Sequence, residues 1–173
     1  PSVIWYKFHV LKQAVLKYGD SCLLDTDVIF TRPLLVPDQA SVALSPHFDV
    51  PLKHEAFGRF NAGVVWADNE EFSSWWADAF LHDSAFYEQE CLNRIPDVFQ
   101  VREFGRGVNY GFWRFEDVDK EVISGGVNIA EIANPLRFGV DSMTYRGDDL
   151  QSVHVHLFSN RPDQVVLKEL LKY

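Results

Sequence analysis

A chain of 173 residues has one-domain length and can bury roughly 70% of the surface its unfolded form exposes. Hydrophobic residues make up 47% and aromatics 14%, which excludes a disordered chain. The formal net charge of −9, with a sequence pI near 5.0, argues against nucleic acid or an anionic membrane surface as the main partner. It leaves a phosphate ligand open, because a bound metal inverts the local sign.

Residues 3–18 read as a helix, with Ile4, Phe8, Leu11 and Val15 recurring at helical spacing and Gly19 placed to end it. Cys22-Leu23-Leu24 then runs into Asp25-Thr26-Asp27 and turns apolar again at Val28-Ile29-Phe30. The first run has the length and flanks of a buried parallel strand over 21–25. Side chains alternate along a strand, so Asp25 and Asp27 are expected on one side with Thr26 between them. Two carboxylates so placed need a cation, or one must hold a proton. The chemistry expected of the pair is a divalent metal that in turn holds a phosphate-bearing ligand. The blander alternative is a solvated turn. A domain that opens on a helix leading into its acidic strand also reads as incomplete at its N-terminus.

Thr31-Arg32-Pro33 turns the chain, Val42-Ala43-Leu44 is a short strand, and 46–59 is loop-like, with His47, Asp49, His54 and Arg59 solvated. Phe60 to Trp66 is a core strand entered through Asn61-Ala62-Gly63. Small residues there let a ligand approach the backbone, and Asn61 offers a donor and an acceptor; a strand with a Gly bulge is the structural alternative. Asp68 and Glu71 resemble a capping box, followed by the helical stripe Phe72, Trp75, Trp76, Ala79 and Phe80. A second helix is expected at about 85–94, exposing Glu88, Gln89, Glu90 and Asn93 and ended by Pro96, then a strand over 98–101. Gly105 to Trp113 is dense in glycine and aromatics, with Val108-Asn109-Tyr110 held between glycines. Ser152 to Phe158 alternates, with Val153, Val155 and Leu157 on one face and His154, His156 and Phe158 on the other. Pro162 starts a final helix. Cys22 and Cys91 read as buried free thiols. With no signal peptide or membrane span visible, a cytoplasmic setting is expected.

These segments, in this order, resemble the metal-dependent GT-A glycosyltransferases, in particular the family-8-like and related nucleotide-diphospho-sugar transferases. Leu23 to Phe30 is similar to the DxD motif, Phe60-Asn61-Ala62-Gly63-Val64-Val65 to the family's F-N-A/S-G strand, and Glu88 to Asn93 to its D/E-Q-x-x-L-N helix. Gly107-Val108-Asn109-Tyr110 resembles a G-x-N segment, and His156-Leu157-Phe158-Ser159 the late His of the metal shell. The resemblance implies a single α/β domain over 1–173 with a mixed, mainly parallel sheet flanked by helices. The βα units that bind the nucleotide base in family members have no counterpart here. It implies a nucleoside diphosphate sugar as donor and a carbohydrate or other hydroxyl as acceptor. It implies Mn²⁺, with Mg²⁺ next, on Asp25, Asp27 and His156, with His154 as the alternative imidazole. Asp25, Asn61, Ala62, Gly63 and Asn109 would contact substrate, and Glu88 and Gln89 would work at the reacting centre. Glu88 would be the base if the reaction inverts, although the family favours retention.

Two other readings compete. The run Leu23 to Ile29 also fits the first motif of haloacid-dehalogenase-like phosphatases, with Asp25 as nucleophile, Asp27 as acid/base and Gly147-Asp148-Asp149 as a late acidic motif. A truncated, non-catalytic transferase domain that pairs with a second copy through an exposed sheet edge is the third.

Overall fold

The structure is a computed structural model, described here for residues 3–47, 58–84, 87–111, 136–138, 143–145 and 147–155. The chain is mixed α/β. It divides into two compact units, each assembled from two stretches of sequence: Pro1–Asp25 with Leu35–Gly105, and Thr26–Leu34 with Arg106–Tyr173. Among the described residues no helix is long and apolar enough to cross a membrane.

The first unit opens on helix α1 (Val3–Tyr18), which buries Phe8, Leu11 and Val15 and half-buries Ile4, so the helical stripe does face the core. Gly19 ends it at φ 90°, its N–H reaching back to the Val15 carbonyl at 2.8 Å. Strands β1 (Ser21–Leu24), β3 (Val42–Pro46), β4 (Phe60–Ala67) and β5 (Val101–Glu103) form one sheet in the order β1-β4-β3-β5; β2 (Val28–Phe30) belongs to the second unit. Only β3 and β5 run parallel; β4 is antiparallel to both β1 and β3. The acidic strand is therefore not the buried parallel strand its apolar run suggests. It is a half-buried edge strand, and four apolar residues cannot distinguish the two by pattern alone.

Helix α2 (Glu70–Asp83) is capped by Asn69, whose side chain accepts from the Glu71 N–H at 2.8 Å, one residue later than the expected Asp68. Its Trp76 meets Phe8 edge-on at 4.8 Å between ring centroids and stacks on Phe72 at 5.6 Å. These rings join Leu44, Val65, Leu92 and Phe99 in a single core. The helix expected at about 85–94 is only a 3-10 helix, Glu90–Arg94, preceded by a turn. Tyr87 sits at φ 47°, which a right-handed helix cannot include. The strand expected at 98–101 falls slightly later, as β5.

In the second unit β2 pairs antiparallel with β9 (Ser152–His154), setting Val28 opposite His154 and Phe30 opposite Ser152. Strands β6 (Leu136–Phe138), β7 (Met143–Tyr145) and β8 (Asp148–Leu150) form an antiparallel meander. Gly107 lies against the chain between β8 and β9, where its carbonyl accepts from Gln151 N–H at 2.7 Å and Ser152 N–H at 3.1 Å. A Cβ on Gly107 would fall 1.8 Å from the Asp149 carbonyl oxygen, so this crossing accepts only glycine. The final helix expected from Pro162, and the loop residues Asp49 and His54, lie outside the described residues.

Candidate functional site

Most of the residues singled out in the sequence fall into two clusters, one in each unit. The cluster in the first unit is built around an irregularity of β4. Its pairing with β3 jumps from Leu44 opposite Val65 to Ser45 opposite Asn61, so Ala62, Gly63 and Val64 bulge from that ladder. On the other side of β4 the pairing with β1 continues through Leu24 opposite Val64, and Asp25 N–H donates to the Gly63 carbonyl at 2.9 Å. The side chain of Asn61 stabilises the bulge, its Oδ1 accepting from Gly63 N–H at 2.8 Å. Its Nδ2 donates to Gln89 Oε1 at 3.2 Å. The backbone thus adopts the structural alternative expected at this strand, a bulge at glycine.

Beside Gln89, Glu88 is buried, and its main-chain carbonyl accepts from Trp76 Nε1 at 2.7 Å. Its carboxylate meets Lys7 Nζ at 2.5 Å, and the same ammonium meets Asp25 Oδ1 at 2.5 Å. The contacts close a ring: Asp25 to Gly63, Gly63 to Asn61, Asn61 to Gln89, then Glu88 to Lys7 and back to Asp25. Burial alone would lower the pKa of Lys7, but the Asp25 and Glu88 carboxylates outweigh it and hold the ammonium above the usual lysine value. The sequence reading omitted Lys7, although the signal is present. Position 7 lies three residues after Ile4 and four before Leu11, on the apolar side of α1. A lysine there demands a buried carboxylate.

The second cluster contains Asp27, Asn109 and His154. Asn109, fully buried and at φ 56°, is fixed by its N–H to Ser152 Oγ at 2.7 Å. Its Oδ1 lies 2.9 Å from His154 Nδ1, and His154 Nε2 lies 3.1 Å from Asp27 Oδ1. The amide oxygen suits the tautomer with its proton on Nδ1, which turns the Nε2 lone pair toward the carboxylate. Two lone-pair atoms at that distance repel unless a proton or a cation lies with them. Neighbouring donors on an octahedral ion, each about 2.1 Å from it, are about 3 Å apart, and ligating imidazoles habitually donate their second N–H to an oxygen. The donor set of Asp27 and His154, oriented by Asn109, therefore fits a divalent metal.

The late imidazole that meets Asp27 is His154; His156, named for that role from the resemblance, lies outside the described residues. Burial pushes the Cys22 thiol up to about 12 and the Cys91 thiol to about 11, so both stay protonated near neutral pH. No protein-family model, curated protein or solved structure matches this chain.

Proposed function

We propose that this chain is a metal-dependent GT-A-like glycosyltransferase domain, moving a sugar from a nucleoside diphosphate donor to an acceptor hydroxyl. The observation that carries the reading is the pairing of Asp27 with His154, 127 positions later in the chain, with the second ring nitrogen already held by Asn109. Asp27 and His154 would hold Mn²⁺ or Mg²⁺. Asp25, two positions earlier and at most about 7 Å away along the backbone, would add a carboxylate. When bound, such an ion supplies Lewis-acid stabilisation of charge on the departing diphosphate.

The remaining work falls to side chains of the first unit. Asn61 and Gln89, already bonded to each other, would present their amides to sugar hydroxyls, and the bulge at Ala62 and Gly63 would let the sugar lie against the backbone. Glu88 would stand nearest the acceptor and take the hydroxyl proton if the reaction inverts. The acidic surface charge gives the domain no general attraction for polyanions, so recognition of the donor would depend on the metal.

The test is calorimetric titration of the whole chain with Mn²⁺ and a UDP-sugar. Asp27→Ala is expected to abolish metal-dependent donor binding while leaving the circular dichroism spectrum and unfolding midpoint unchanged. Equal affinity in the variant and the parent protein would refute the metal role.

A further inference from the structure

Among the described residues, Lys7 is the only cation on the Glu88 carboxylate, and it is shared with Asp25. The three groups are unequally anchored. Glu88 belongs to a segment fixed by Trp76 Nε1 and Cys91 Sγ on its main-chain carbonyl. Asp25 is fixed through its own N–H on Gly63. The lysine charge rides on a flexible four-carbon stem and can pivot between the two acids.

Resting on the proposal that Asp25 joins the metal, we infer that Lys7 is a built-in competitor for the ion. Its ammonium neutralises Asp25 while the metal is absent and withdraws to Glu88 alone when Asp25 becomes a ligand. Two observations support the exchange. Lys7 touches the carboxylate oxygen itself rather than neighbouring backbone, so a dication on Asp25 is set directly against it, and like charges at that range repel. Glu88 is the more buried of the two acids, with 8% of its side chain exposed against 24% for Asp25, so it is the costlier one to leave without a cation. Glu88 thereby acquires a positioning role distinct from proton transfer, as the place to which the displaced charge moves.

The exchange predicts substitutions of opposite sign. Free Mn²⁺ is followed by its electron paramagnetic resonance signal during titration of the whole chain at low salt, with Asp27→Ala as control. Lys7→Met is expected to tighten Mn²⁺ binding about tenfold or more, because the competing charge is gone. Glu88→Gln is expected to weaken it by a similar factor, because Lys7 is then left to Asp25 alone. The double substitution Lys7→Met with Glu88→Gln leaves no lone buried charge, guarding against a misfolded single variant, and should bind more tightly than Glu88→Gln. If Lys7 instead merely holds Asp25 in position, Lys7→Met loosens binding, and that result, or an unchanged Kd, overturns the inference. Mn²⁺ binding that ignores Asp27→Ala overturns the metal proposal itself. Binding lost in Asp27→Ala together with a looser Lys7→Met overturns the Lys7 exchange alone.

Discussion

At the scale of single residues, the chain places a few polar groups where burial forces them to find partners. Lys7 is the sharpest case. The folded protein holds its proton more tightly than the unfolded chain does, so its contribution to stability is complete below the unfolded lysine value, about pH 10.4, and disappears as pH rises through the raised folded value. Urea unfolding from pH 8 to pH 11 should show wild type losing stability relative to Lys7→Met only above about pH 10; a relative loss between pH 8 and pH 9 would contradict the assignment. Several of these residues were legible in the sequence. Asp25, Asp27, Asn61 and Asn109 stand out because polar groups interrupt apolar or glycine-rich runs, whereas Glu88 and Gln89, expected on an exposed helix edge and singled out only by the resemblance, are buried. Lys7 escaped because a helical stripe is recognised by its apolar members, and a charged residue among them passes as surface. His154 and His156 were not separable by pattern, since the alternation of the sequence assigns both to one face; the register with β2 is what sets His154 beside Asp27.

At the scale of elements, the strong signals held where one physical cause dominates. Helix α1 follows its stripe and stops at Gly19 because a positive φ is easy there for glycine. Helix α2 follows its aromatics, but its start depends on which of two adjacent polar residues turns back to cap it. Asn69 does so, with extended backbone at φ −128° and ψ 121°. Asn69→Ala should therefore destabilise the protein by about 1 kcal/mol, and Asp68→Ala by much less, in paired chemical denaturation curves. Equal losses would mean that Asp68 shares the cap. Strand direction was illegible for a different reason. A short apolar run records burial, while the hydrogen-bonding partner is chosen elsewhere in the chain, so β1 came out antiparallel and at an edge. The bulge of β4 was half legible: Asn-Ala-Gly announced a departure from regular strand, but not that the Asn61 side chain would itself supply the missing acceptor.

At the scale of the whole molecule, composition was a sound guide to a folded chain and the succession of helical and strand segments to its mixed α/β class. Nothing in the sequence marks the breaks after Asp25, Leu34 and Gly105, because no linker composition accompanies them. The second unit borrows Thr26–Leu34 from the early chain and pairs it with residues synthesised far later; Thr31 Oγ1 donates to the Leu150 carbonyl across 119 positions. Ribosomal synthesis runs from the N-terminus, so Val28-Ile29-Phe30 must wait, solvated and unpaired, until Ser152-Val153-His154 emerges. A chain ending at Gln151 should keep the α1–α2 aromatic core yet expose that hydrophobic tripeptide, and light scattering should detect its self-association at micromolar concentration while the full-length chain stays dispersed. Any expression strategy that slows translation over residues 106–150 lengthens this interval of vulnerability, so yield should depend on codon choice in a region remote from the acids it ultimately serves.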